Sequence, residues 1–217
     1  MGTTAISWNR RMPVAKRPWA ASSSVRSEYI LSTMAVLLRD ARNPKNTVNY
    51  GSAGNGSSQH LSAALFNSMA GAHMVHVPYK GGAPATVDLI GGQIQVYFGP
   101  LVEVIAHIKA GKIKVLGMTT KKRSPLLPEV PTIGELLTGY EIALWNGILA
   151  PDKTPTDIVQ RLNQAILKVL DQPDIKARFA EQGSEPAGNS PEEFRRFIGT
   201  EVDKWKTLVS ISGAKVE

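Results

Sequence analysis

Residues 48–61 read VNYGSAGNGSSQHL, and this stretch decides the fold class. Val48–Tyr50 has the composition of a short strand, and the glycine- and serine-rich segment Gly51–Ser58 follows it directly. Ser58–Ala70 then places apolar residues at helical spacing, and Gly71 ends that helix. A strand that enters a glycine-rich turn and leaves it as a helix is the repeating unit of α/β folds, so the sequence predicts an α/β domain.

The same unit recurs along the chain. The predicted elements are a helix over residues 30–38, strands at 74–79, 94–98 and 114–119, helices at 84–92 and 101–110, and a short helix at 132–137. Tyr97 is expected to lie across the surface of its strand, because the rest of 94–98 alternates apolar and polar residues. From Pro151 onward the pattern is helical, with Thr154 and Ser190 as predicted N-caps ahead of Pro155 and Pro191.

The net charge of +7 is concentrated in the N-terminal segment. Residues 1–47 contain eight Lys and Arg against two acids, whereas residues 48–217 contain 17 basic and 16 acidic residues. A near-neutral body argues against a nucleic-acid partner, which would require a basic face. The absence of cysteine excludes disulfides and thiol chemistry, and the histidines lack the spacing of a zinc site, so neither a metal nor a cofactor is predicted.

The loop Gly51–Ser58 has the features of an anion cradle. Backbone N–H groups at the start of a helix lack intrahelical partners, glycines allow close approach, and the hydroxyls of Ser52, Ser57 and Ser58 add donors. Ser57 stands where a phosphate-binding P-loop has its lysine, so a carboxylate fits better than a nucleotide phosphate. The alternative interpretation is a turn that caps a helix and binds nothing.

Two further strand–helix junctions contain glycine, at Tyr79–Pro84 and at Phe98–Pro100. Junctions of one parallel sheet lie at the carboxyl ends of its strands, where α/β folds bind ligands. Lys80 is either a cation for the ligand or a solvated lysine. His60 and His76 are expected to pack or to face water, Glu103 to be a helix-surface or capping residue, and Trp145 to be a core residue. The serines lack a nucleophile elbow, and no base could be assigned to them.

Five ordered motifs resemble the Bug or TctC family of extracytoplasmic solute receptors. They are VNYGSAGNGSSQHLSAALFNSMAG (48–71), HVPYKGGAPATVDLIGGQIQVYFGP (76–100), IKAGKIKVLGMTTKKRSPLLPEVPTIGEL (108–136), LAPDKTPTDIVQRLNQAI (149–166) and EQGSEPAGNSPEEFRRFI (181–198). The resemblance covers roughly residues 35–217. Members of this family serve tripartite tricarboxylate transporters.

The resemblance implies a periplasmic-binding-protein type 2 (Venus-flytrap) fold, with one complete lobe here plus the C-terminal helices of the other. It divides the chain into an atypical, disordered segment (1–33), a helix and linker (34–47), an α/β lobe (48–140), a crossing segment (141–150) and C-terminal helices of the first lobe (151–217). The ligand-binding residues it implies are Ser52, Ala53, Gly54, Gly56, Ser57, Ser58, Tyr79, Gly81, Gly82 and Gly99.

The expected function is capture of a mono-, di- or tricarboxylic acid for membrane permease subunits, by a monomer that is not an enzyme. The family implies a periplasmic location, although no signal peptide is recognisable. The first lobe's anion loop is also not recognisable, so we expect a truncated chain that binds weakly or not at all, and a micromolar dissociation constant would contradict this. The alternatives are a phosphate-ligand enzyme, an effector-sensing domain of a regulator and a remnant without function.

Overall fold

The structure is a computed structural model that describes the backbone of residues 4–8 and 28–214, with side chains from Met34 onward. Its strands are β1 (Thr4–Trp8), β2 (Asn49–Ser52), β3 (Val75–Pro78), β4 (Val96–Pro100) and β5 (Lys114–Met118). Its helices are α1 (Glu28–Arg42), α2 (Ser58–Ala70), α3 (Gly82–Gly91), α4 (Leu101–Lys109), α5 (Thr156–Leu170), α6 (Pro173–Glu181) and α7 (Pro191–Ser212), with a 3-10 turn at Ile133–Glu135.

The strands form one mixed sheet in the order β3-β2-β4-β1-β5. Strand β2 pairs in parallel with β3 and β4, while β1 runs antiparallel to both β4 and β5. Four strands therefore share one direction, and their carboxyl ends lie at the same edge of the sheet. The predicted α/β fold is confirmed, and its loops 53–57 and 79–81 lie at that edge.

The predicted disorder of residues 1–33 is wrong for the parts of that segment that the structure describes. Residues 4–8 form β1 near the middle of the sheet, with Ile6 opposite Phe98 and Gly117, and α1 begins at Glu28 rather than near Ile30. Five residues are too few to show a strand period, and the partners of β1 lie about 90 (β4) and about 110 (β5) residues away along the chain. Residues 1–3 and 9–27 of the predicted disordered segment lie outside the described residues.

Apolar side chains cover both faces of the sheet. Leu37 of α1 and Phe66 of α2 pack with Phe98 on one face, whereas Leu89 of α3 and Val104 of α4 pack with the neighbouring Tyr97 on the other. Successive residues of a strand point to opposite faces, so Tyr97 and Phe98 belong to different clusters. Tyr97 is fully buried, which corrects the expectation that its ring lies across the surface.

The C-terminal helices follow the predicted pattern with one correction. Ser190 caps α7 in a reciprocal box with Glu193, as predicted. Helix α5 begins one residue later than predicted, with Pro155 at its N-cap position and no hydrogen bond from a capping side chain. None of the described helices is long and apolar enough to span a bilayer.

The last helix packs on the α/β unit. Leu208 of α7 lies in a buried cluster with Leu61 of α2 and Ile142 of the segment that follows the 3-10 turn. Trp145 is half-buried, and its indole N–H donates to a carboxylate oxygen of the buried Glu201 at 2.9 Å. Segment 141–150 is thereby tied to α7.

Candidate functional site

Three strand–helix junctions lie at the carboxyl edge of the sheet. They join β2 to α2, β3 to α3 and β4 to α4. The backbone N–H of Tyr79 donates to the carbonyl of Ser52 at 3.1 Å, and that of Gly81 donates to the carbonyl of Ala53 at 3.2 Å. The first two loops are therefore joined directly, and the partial positive charges of three helix N-termini lie at one edge.

Hydrogen bonds within the loop between β2 and α2 fix its conformation. Gly54 and Gly56 adopt φ values of 129° and 73°, which side chains rarely allow. The Ser57 hydroxyl donates to the carbonyl of Gly54 at 2.7 Å and accepts from the N–H of His60 at 3.4 Å as the N-cap of α2. Asn55 and Gly56 are exposed, while Ala53, Ser57 and Ser58 are half-buried, so the outer part of the loop is accessible to a small ligand.

Ser52 differs from the other predicted site residues because its side chain is inaccessible. It is fully buried, and its hydroxyl oxygen lies 2.6 Å from Nε2 of His76 and 3.1 Å from the N–H of Gly54, which donates to it. The expectation that no base lies beside a serine is therefore wrong for Ser52. The hydroxyl is fully buried in this structure, so the Ser52–His76 pair is a contact inside the fold.

The two histidines near the loop form a stack in which His60 is buried and His76 is half-buried. The rings of His60 and His76 lie 3.9 Å apart and almost parallel, and Tyr50 stacks on His76 at 5.0 Å. Nδ1 of His60 accepts a hydrogen bond from the N–H of Gly56 at 3.1 Å, so this nitrogen carries no proton. His60 thus packs, as expected, and also fixes the loop.

The stack holds both imidazoles neutral. Burial lowers the pKa of His60, and burial together with repulsion from His60 lowers the pKa of His76 from its ordinary 6.5 to about 4. Protonation of either ring would place a charge where solvation is poor, and a proton on Nδ1 of His60 would break the bond from Gly56.

The second and third junctions are shaped differently from the first. Tyr79 is half-buried, its hydroxyl donates to Asp88 at 2.7 Å, and Gly81 precedes α3 with a φ of 111°. Gly99 is buried inside β4 rather than exposed in a loop, because β4 extends to Pro100 and α4 begins at the next residue. A β-carbon at Gly99 would collide with the ring of Tyr97, so this glycine makes room for that ring and is shielded from the loops.

Sequence reasoning missed a chain of polar side chains that links the first junction to the third. Gln59, buried in the first turn of α2, donates to the hydroxyl of Tyr97 at 3.4 Å, and Tyr97 donates to Oε2 of Glu103 at 2.7 Å. Burial and the bond to Glu103 raise the pKa of Tyr97. The sequence did contain a signal for this chain of hydrogen bonds. Tyr97 of strand β4 precedes Glu103, in the first turn of the next helix, by six residues, and a buried tyrosine hydroxyl usually needs a hydrogen-bond partner.

Comparison with known sequences gives a family match over most of the chain. The tripartite tricarboxylate transporter family receptor (TctC) matches residues 14–213. The match begins about twenty residues earlier than the motifs in the sequence suggested, which corrects the expectation that residues before 34 fall outside the family.

Two curated relatives are similar over most of the chain. A protein encoded in the tcbD–tcbE intergenic region of Pseudomonas sp. (strain P51) is 37% identical over 80% of this chain and 52% of its own length. Protein BugT of Bordetella pertussis is 35% identical over 75% of this chain and 50% of its own length. The chain therefore spans about half the length of these relatives.

Solved structures support the same fold. A protein of R. palustris solved with adipate superposes with a TM-score of 0.82 at 33% identity, covering 98% of this chain and 66% of its own. MatC of Rhodopseudomonas palustris, solved with bound malate, has a TM-score of 0.74 at 26% identity, over 96% of this chain and 66% of its own. The periplasmic binding protein BugD has a TM-score of 0.75 at 25% identity, over 100% of this chain and 69% of its own.

Proposed function

The chain belongs to the tripartite tricarboxylate transporter receptor family, and from that premise we propose that it captures a small carboxylate for a membrane transporter. The observation that carries the proposal is the direct joining of two glycine-bearing junctions at the carboxyl edge of the sheet, through the N–H groups of Tyr79 and Gly81. Neighbours solved with adipate and with malate support a carboxylate as the ligand. Delivery to permease subunits, a periplasmic location, a monomeric state and the absence of enzymatic activity are parts of this proposal.

The proposed contact residues are those at the accessible side of the two joined loops. Ala53, Gly54, Gly56, Ser57 and Ser58 surround the start of α2, where backbone N–H groups and the helix dipole favour an anion. Tyr79 and Gly81 belong to the second loop, and Gly82 is the first residue of α3.

Ser52 and Gly99 support these loops rather than touch the ligand. Both are buried, Ser52 against His76 and Gly99 beneath the ring of Tyr97. Their roles in binding are to keep the loop and the Tyr97 ring in place.

We also propose that residues 151–217 belong to the first lobe and residues 48–140 to the second, and that closure bends the chain near Asn46–Tyr50 and Glu141–Gly147. The extended, helix-free course of residues 141–150 supports a hinge in the second of these segments. The packing of Leu208 against Leu61 limits how far α7 moves away from α2.

Titration of the labelled 217-residue chain with hexanoate, adipate and malate, followed by NMR, tests the proposal. We expect saturable shifts of the Ala53–Ser58 amides with weak affinity, because the proposed donors come from the loops of one lobe. We expect the Ser58 hydroxyl, which donates to Oε1 of Gln59 at 3.3 Å in this structure, to donate to the bound carboxylate instead. Replacing Ser58 by Ala should then weaken binding by about tenfold, the typical effect of losing one hydrogen bond to a charged group.

The matched control is Ser68→Ala, which removes an exposed hydroxyl at the other end of the same helix and should leave binding unchanged. An absence of shifts with all three acids would contradict the proposed function. Equal effects of the two substitutions would contradict the placement of the ligand at the start of α2.

A further inference from the structure

The carboxylate of Glu103 lies beside the second junction. Glu103 is in the first turn of α4, and its Oε2 accepts the hydroxyl proton of Tyr97 at 2.7 Å. A β-carbon at Gly82 would collide with both this oxygen and the Tyr97 hydroxyl, so the carboxylate lies directly over the first residue of α3. The negative charge of Glu103 thus lies at the N-terminus of α3, a position that could otherwise attract an anion.

The position of this carboxylate is fixed relative to the first loop. Tyr97 is fully buried, and its hydroxyl accepts a hydrogen bond from Gln59, which is 6% exposed. Gln59 follows Ser58 in the first turn of α2, and the Ser58 hydroxyl donates to its Oε1 at 3.3 Å. A continuous line of hydrogen bonds therefore runs from the carboxylate-binding loop to Glu103.

The charge of Glu103 faces solvent without a neutralising partner. Its side chain is exposed, and no Lys or Arg of residues 34–214 forms an ion pair with it. Tyr97 donates its only proton to Oε2, which leaves Oε1 available to a donor on the ligand. A second carboxylate placed here would meet a like charge, whereas a hydroxyl or an ammonium group would gain a hydrogen bond.

We propose that Glu103 is a specificity-determining residue that makes the site prefer monocarboxylates bearing a hydroxyl or ammonium group at their other end over dicarboxylates of the same length. This inference rests on the proposed function, because it takes the loop Ala53–Ser58 as the anchor for the first carboxylate. Lys80 is exposed on the second loop and would favour the opposite preference if it governed the far end of the ligand.

The test compares four acids with one carbon chain: hexanoate, adipate, ω-hydroxyhexanoate and ω-aminohexanoate. Dissociation constants are measured by NMR titration for the wild-type chain, Glu103→Gln and Glu129→Gln. The glutamine keeps the shape of Glu103 and removes its charge, while Glu129 is an exposed acid in the loop that follows β5. Thermal unfolding followed by circular dichroism checks that all three proteins are folded.

For the wild type we expect the hydroxy and amino acids to bind about tenfold more tightly than adipate, as like-charge exclusion requires. Glu103→Gln should reduce this ratio to about twofold or less, with the affinity for hexanoate unchanged, and Glu129→Gln should keep the wild-type ratio. A ratio that does not respond to Glu103→Gln while hexanoate still binds overturns this inference and leaves the proposed function standing.

Two other outcomes of the titrations would also overturn the assignment of specificity to Glu103. Tighter binding of adipate by the wild type overturns the inference and assigns control to Lys80. Failure of all four acids to bind any of the proteins removes the proposed function and this inference with it.

Discussion

Acidification from pH 7 to pH 5 should destabilise the fold through the stacked histidines beside the loop between β2 and α2. His76 has its pKa lowered to about 4 by burial and by repulsion from His60, whereas an unfolded histidine titrates near 6.5. The unfolded chain therefore binds more protons in this window, so stability is full above about pH 6.5 and is lost progressively as the pH falls through about 4.

The expected loss is worked from this pKa difference. For one histidine with pKa values of about 6.5 and about 4, the free energy of unfolding falls by about 2 kcal/mol between pH 7 and pH 5. Partial access of solvent to the ring lowers this to about 1 kcal/mol, to which His60 adds in the same direction.

Urea denaturation at several pH values measures the effect, with His76→Phe as the test variant. Phenylalanine keeps a flat ring against Tyr50 and His60 but cannot be protonated, so it should flatten the pH dependence even if it lowers stability at every pH. His73 is exposed in the loop after α2, and His73→Gln should keep the wild-type slope. Equal slopes for the wild type and His76→Phe would refute the assignment of the pH dependence to His76.

Two further predictions concern contacts away from the loop. Glu201→Ala should lower the free energy of unfolding by about 2 kcal/mol, because this buried carboxylate accepts hydrogen bonds from the indole N–H groups of Trp145 and Trp205. The control is Glu192→Ala, which replaces an exposed residue of the same helix. Equal urea midpoints for the two variants would contradict the role of Glu201. Tyr140→Phe should cost about 1 kcal/mol by removing a buried hydrogen bond to a carbonyl of α2, and an unchanged melting curve would show that this bond contributes nothing.

The local sequence pattern was sufficient to predict the helices whose ends are marked by capping residues. Helix α2 spans Ser58–Ala70 and is stopped by Gly71, as predicted, because a serine cap and a left-handed glycine specify both ends locally. The capping box of α7 followed from Ser190 and Glu193 for the same reason.

Elements that depend on distant partners were predicted less well. Strand β1 owes its place to β4 and β5, which lie about 90 and about 110 residues further along the chain, and five residues alone do not disclose such pairing. The burial of Tyr97 likewise depends on α3 and α4, which cover its face of the sheet.

The features of the candidate site also fall into two groups, those that local sequence determines and those that depend on tertiary structure. The sequence by itself determined that a glycine- and serine-rich segment precedes a helix, because backbone freedom and helix capping are local properties. The structure narrows the predicted loop from residues 51–58 to residues 53–57, since β2 extends to Ser52 and α2 begins at Ser58. The preference of this loop for a carboxylate stays a prediction. Only the tertiary structure decided that Ser52 turns inward to His76, that the second loop is joined to the first, and that Glu103 stands over Gly82. These facts depend on how strands from distant parts of the chain align their ends, which no local pattern encodes.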